Sequence, residues 1–174
     1  SPLALLDSIP NAFVGSRRTM YMFQPAIGSF YEGIQYGHKE LLSARDPWSG
    51  YIHYDPVLYM LAHITQFAKT GWENDTNTNG IWRVLPNATF ASFGATVFIN
   101  NTRNEKTFAI KVADDMDISV KALHVWTTVT DSYLQKGEDA AIENGIATIT
   151  VPAYSVVTAT TLDTTPARFP TEKD

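Results

Sequence analysis

Arg45-Asp46-Pro47-Trp48-Ser49-Gly50, followed shortly by Asp55-Pro56, divides the chain into two kinds of sequence. Asp55 is a good helix N-cap, and Pro56 fits the first helical position, where a missing N–H costs nothing. Val57, Met60, Leu61, Ile64 and Phe67 then recur at helical spacing as one apolar stripe. Lys69 suits a last helical turn, and Gly71 can close the helix in a left-handed conformation. Pro56 to Phe67 is therefore expected as the long helix of the chain. Before it lies a turn-rich, aromatic segment; after it the hydrophobic period drops to two.

Upstream, Pro2, Pro10 and Gly15 punctuate residues 1–18 and are expected to break any long element. Ser1 to Asp7 has no basic region of the kind that opens a signal peptide, and a processed end is expected there. Thr19-Met20-Tyr21-Met22-Phe23-Gln24, stopped by Pro25, reads as a strand buried on both faces. Residues 28–54 read as a long loop holding Phe30, Tyr31, Tyr36, Trp48, Tyr51 and Tyr54. A strand, an aromatic loop and a packed helix are the parts of one βα unit of a barrel, where such loops carry the ligand site. Aromatic rings with polar tips suit sugars, whose C–H faces stack while their hydroxyls take hydrogen bonds. A loop folded over its own hydrophobic cluster explains the same aromatics equally well.

Downstream, Thr96 to Ile99 and Thr107 to Val112 flank a polar turn and read as a hairpin. The alternating stretches Leu123 to Thr128, Ile146 to Val151 and Ser155 to Leu162 add further strands. Short strands with Thr-rich faces are expected to build an antiparallel β-sandwich over residues 80–162. The expected division is 1–72 for the barrel-like part and 73–174 for the sandwich.

The 174 residues are 44% hydrophobic and 18% charged, enough to bury a core. A net charge of −5 without a basic run argues against nucleic acid and anionic membranes as partners. No apolar run approaches the roughly 20 residues of a transmembrane span. There is no cysteine, so disulfides and thiolate metal sites are excluded. The four histidines, His38, His53, His63 and His124, show no zinc spacing, and His63 reads as a packing or capping group. Asp114-Asp115-Met116-Asp117 lacks the glycine and distal glutamate of a calcium loop and reads as a solvated turn. No metal and no cofactor is expected, and no serine-nucleophile motif is present. Three sequons, at Asn74, Asn87 and Asn100, favour a glycoprotein of the secretory pathway.

Four blocks carry a family resemblance: Ser29-Phe30-Tyr31-Glu32, then Tyr36-Gly37, then Leu42 to Tyr51 with its Pro47-Trp48-Ser49-Gly50, then Ala62 to Trp72 with its His63-Ile64-Thr65-Gln66-Phe67. In order and spacing they resemble glycoside hydrolase family 59, the galactocerebrosidase family. Val157 to Leu162 resembles the strand that closes that family's β-sandwich. The resemblance implies a mainly β chain, in which the last βα unit of a TIM barrel precedes an antiparallel β-sandwich. Residues 19–24 would be the eighth barrel strand and Pro56 to Phe67 the last barrel helix.

It also implies retaining hydrolysis of β-galactosides. The family's two catalytic glutamates lie on barrel strands upstream of residue 1, so no residue here inherits a catalytic role. The family's substrate-contacting tyrosine falls on Tyr36, and its substrate-contacting tryptophan falls at Gln24. Tyr36, Gln24 and Trp48 are the substrate-binding candidates. The implied partners are a carbohydrate and a complementary chain bearing the rest of the barrel and both glutamates. Without that chain, Met20, Met22, Phe23 and the Val57–Phe67 stripe would face water. The implied location is secreted or lysosomal. A non-catalytic carbohydrate-binding or structural β-sandwich is the alternative.

Overall fold

Val156 and Val157 are neighbours on one strand and belong to two different hydrophobic cores. That follows from the period of two in a strand, which sends successive side chains to opposite faces. The computed structural model describes residues 2–29, 40–44, 48–68, 73–75, 81–85, 94–111 and 120–163.

The chain opens with helix α1, Pro2–Pro10, continued by a single wide turn over Asn11–Gly15 in which the Ser16 N–H donates to the Asn11 carbonyl at 3.0 Å. This corrects the expectation that prolines break the segment and that Pro56 begins the only long helix. Pro2 occupies the first helical position, where proline costs nothing, and Pro10 falls where the α-helical ladder already gives way. Leu3, Leu6 and Ile9 recur on one face and are buried.

Residues 19–24 form no strand, and Met20 and Met22 are 67% and 81% exposed. The expected barrel strand is thus absent, since a lone strand without neighbours has nowhere to place its N–H and C=O groups. The strand begins later, as β1 (Ile27–Ser29). It runs parallel to β2 (Leu42–Ala44), which pairs antiparallel with β3 (His53–Tyr54). The span read as one loop therefore contains a small three-stranded sheet.

Helix α2 covers Pro56–Thr65, with Asp55 at the N-cap and Pro56 at the first position. It ends at Gln66, sooner than the expected Phe67; Lys69 and Gly71 lie outside the described residues. The α2 stripe is not left facing water: Val57, Met60 and Phe67 are buried. Met60 joins Leu3, Leu6 and Ile9 of α1 against Val97 and Val156 of the main sheet.

That sheet comprises β4 (Glu73–Asp75), β5 (Ile81–Leu85), β6 (Ala95–Asn100), β7 (Lys106–Lys111), β8 (Ala122–Val129), β9 (Ser132–Lys136), β10 (Ala140–Glu143), β11 (Ile146–Val151) and β12 (Ser155–Thr160). Their order is β4-β5-β6-β12-β8-β10-β11-β7, with β9 also on β8, and every pairing among these strands is antiparallel. They form one hydrogen-bonded path that curls until β11 lies against β6 and β12. Phe98, Leu123, Ala147, Ile149, Val151, Val157 and Ala159 fill the space so enclosed. Asn144-Gly145, with φ of 50° and 75°, makes the tight β10–β11 hairpin turn that this dipeptide favours.

The expected hairpin between β6 and β7 does not form. β6 pairs with β5 and β12, and β7 pairs with β11. Asn100, at the end of β6, lets the chain leave for the opposite side of the curl, where its side chain ties to Val151 and Pro152.

Buried on both faces, β12 is the floor on which the helices rest. His63 of α2, wholly buried, bonds to Thr158 of β12 and Thr128 of β8. Tyr59 of α2 stacks on Tyr133 of β9, with centroids 4.1 Å apart, and Phe67 packs on Trp126 of β8 at 6.0 Å.

Candidate functional site

Where α1, residues 21–24 and the start of α2 meet, they leave a cavity of about 640 Å³. Pro2 and Leu5 of α1 and Pro56 and Val57 of α2 give it apolar sides. Tyr21, Met22 and Phe23 add two rings and a thioether, and Gln24, Glu40 and Asp55 add the polar groups. The volume falls within the range of about 300–1,000 Å³ usual for small-molecule sites, and the mix of apolar wall and few polar groups is also usual.

Each polar group has a local reason for its place. Asp55 sits at the N-cap of α2 with extended backbone, φ −79° and ψ 146°, yet its carboxylate makes no cap bond to its own helix. It accepts instead the hydroxyl hydrogen of Ser43 on β2, which ties the helix start to the small sheet. Glu40 precedes β2 and is buried, at 4% exposure. Its side chain lies along Gly28 of β1: a Cβ there would stand 2.9 Å from Glu40 Cβ and 3.0 Å from its Cγ and Cδ. Tyr21 is held by a 3.2 Å hydrogen bond between its hydroxyl and Ser8 Oγ of α1.

Of the substrate-binding candidates, Gln24 is exposed and lines this cavity. Trp48 is 84% exposed in a turn and does not line it. Tyr36 lies outside the described residues. Glu40 and Asp55 were not singled out from sequence as cavity groups. A buried glutamate has no sequence signature, and Asp55 reads fully as a helix cap. Among the described residues no group of three or more His, Asp or Glu side chains could hold a metal ion; Asp114 to Asp117 lie outside them.

The sequon residues fare differently. Asn87 lies outside the described residues, and Asn74 falls within β4. Asn100 is 0% exposed, and its Nδ2 donates to the carbonyls of Asn104 at 2.8 Å, Val151 at 3.1 Å and Pro152 at 2.8 Å. Its Oδ1 accepts from the N–H and hydroxyl of Thr102, so the sequon's threonine closes an Asx turn. The Nδ2 that a glycan would occupy is thus engaged with three carbonyls in a buried site.

Residues 3–66, which span α1, the cavity walls and α2, match the family model described as glycosyl hydrolase family 59. The chain is galactocerebrosidase-like over this segment. It is 35% identical over 60 residues to galactocerebrosidase of Danio rerio, an overlap of 34% of this chain and 9% of that protein. Against galactocerebrosidase of Homo sapiens the identity is 39% over 46 residues, 26% of this chain and 7% of that protein. A longer overlap, 24% identical over 164 residues, covers 79% of this chain and 24% of galactocerebrosidase of Salmo salar. The chain thus spans at most about a quarter of the length of these relatives.

The family 59 segment also fits a wider fold likeness. The catalytic domain of a glycoside hydrolase family 30 xylanase from Talaromyces cellulolyticus superposes with a TM-score of 0.69 at 15% identity, over 92% of this chain and 34% of that one. A family 30 subfamily 8 xylanase from Clostridium acetobutylicum gives 0.67 at 16% identity, over 91% of this chain and 38% of that one. These likenesses cover the helices and the curled sheet together. Pro47 to Gly50 and His63 to Thr65, quoted for the resemblance, fall inside the matched segment.

Proposed function

We propose that this chain is part of a retaining glycoside hydrolase acting on β-galactosides, of a glycolipid or a glycan. It supplies one wall of the sugar pocket through Tyr36, Gln24 and Trp48, together with a supporting β-sandwich. The observation that carries this reading is the family 59 match over residues 3–66, the part of the chain that also forms the cavity. Retaining hydrolysis needs two carboxyl groups about 5–5.5 Å apart, held rigidly across the glycosidic bond. A complementary chain bearing the rest of the barrel would provide both. Met20 and Ile27, each more than half exposed, are apolar surface such a partner would cover. The site of action is secreted or lysosomal, in keeping with the sequons at Asn74 and Asn87, and among the described residues no helix is long and apolar enough to cross a membrane.

The test is reconstitution. The 174-residue chain alone hydrolyses no aryl β-galactoside, and activity appears when it is combined with the chain carrying the missing barrel. Hydrolysis by the chain alone, or none in the reconstituted assembly, would overturn the reading.

A second reading, a carbohydrate-binding or structural β-sandwich, is favoured by one observation: α1 and α2 bury their apolar faces within this chain, against Val97 and Val156. A monodisperse native monomer with no copurifying partner supports it.

A further inference from the structure

We propose, building on the glycoside hydrolase reading, that the cavity between α1, residues 21–24 and the start of α2 is a subsite for a neutral sugar ring, in which Glu40 and Asp55 accept hydroxyl hydrogens and Gly28 is the residue that gives Glu40 its position. Among the described residues the lining contains two carboxylates and one amide but no lysine or arginine. Such a site repels anions and asks its ligand for hydrogen-bond donors. Sugar hydroxyls and ammonium groups both qualify. The opposite wall decides between them. Leu5, Met22, Phe23 and Val57 offer apolar surface, and Tyr21 and Phe23 offer rings. A pyranose has C–H faces for the one wall and hydroxyls for the other, whereas a small amine would leave the apolar wall unused.

The placement of the carboxylates is built. Burying a carboxyl group is costly, and Glu40 is 4% exposed while lining an open volume. Its Cβ, Cγ and Cδ all run along the face of Gly28 that a side chain would otherwise fill. Gly28 has no positive φ, so its lack of a side chain serves space and not backbone conformation. Asp55 is turned away from its own helix and held by Ser43 at the cavity wall.

The experiment is a ¹H–¹⁵N titration of the full 174-residue chain with methyl β-D-galactopyranoside, methyl β-D-xylopyranoside and, separately, propylammonium chloride. The sugars are expected to shift the amides of Tyr21, Phe23, Gln24, Asp55 and Val57. Gly28→Ala and Glu40→Gln should each weaken sugar binding about tenfold while the thermal midpoint confirms a folded chain; Asp55→Asn is the further variant should either fail to fold. Sugar shifts confined elsewhere, tighter binding of the amine, or a Gly28→Ala variant of lower midpoint but unchanged affinity would each overturn the proposal. Hydrolysis in the reconstituted assembly without cavity shifts sinks this inference and leaves the hydrolase reading standing. Cavity shifts in a chain that no partner renders active do the reverse.

Discussion

His63 Nε2 lies 2.7 Å from Thr128 Oγ1, and the other ring nitrogen, Nδ1, lies 2.8 Å from Thr158 Oγ1. The proton positions follow from counting donors. The Thr158 hydroxyl donates to the His63 carbonyl at 3.1 Å, so toward the ring it can only accept, and Nδ1 carries the hydrogen. Thr128 Oγ1 accepts the Leu134 N–H at 2.9 Å and donates its own hydrogen to Nε2. Every group in the chain of bonds is satisfied with the ring neutral.

Protonation at Nε2 would set an N–H against a hydroxyl hydrogen in a buried site. Burial accordingly lowers the His63 pKa from 6.5 to about 3. The unfolded chain binds a proton near pH 6.5 and the folded chain does not, so stability is intact above pH 6.5 and falls as pH drops toward 3. From pH 6.5 to 5 this one group should cost about 2 kcal/mol. Urea titrations across that range check it: a His63→Gln variant should be less stable at pH 7 but lose less on acidification.

Leu6 of α1 is 1% exposed in the core shared with Met60 and Val156. Leu6→Ala should cost about 2–5 kcal/mol, the range for emptying a buried leucine site. A loss under about 0.5 kcal/mol by chemical denaturation would mean that α1 does not dock on the sheet.

Asn100→Ala removes the donor that serves three carbonyls and the acceptor that orders Thr102. Unfolding free energy should fall by about 1–3 kcal/mol. Peptide mapping of material from the native source should find no glycan at this position, with any glycan confined to Asn74 and Asn87.

Tyr36→Ala in the reconstituted assembly should lower kcat/KM by the equivalent of about 1–3 kcal/mol, the worth of one stacked or hydrogen-bonded sugar contact. Unchanged kinetics would leave the tyrosine with no part in the pocket.

What could be read in advance, and what could not, divides along physical lines. The strand Ile146–Val151 was legible because alternation marks a half-buried strand, and Ser155–Thr160 because a short β-branched run marks a strand even when both its faces are buried. The start of α2 was legible because Asp55-Pro56 is a local signal. Strand pairing was not: β6 and β7 look like a hairpin, and only the tertiary choice of β12 as partner for β6 decides otherwise. Helix α1 was missed because its prolines were read as breakers, although Leu3, Leu6 and Ile9 hold helical spacing. For the candidate site, Gln24 was reached through the family register, whereas Glu40 was not, because what places it is a glycine twelve residues earlier on another strand.

The two-sided burial of β12 also sets a timetable. Leu3, Leu6 and Met60 are made roughly a hundred residues or more before Val156 of their floor. At about 5–20 residues per second of synthesis, the helices wait for roughly ten seconds with their apolar faces uncovered. Local helix formation, finished in about a microsecond, gives them no shelter in that interval. Docking of the helices is therefore completed only when β12 arrives, and a nascent chain halted before residue 155 should be protease-sensitive over α1 and α2.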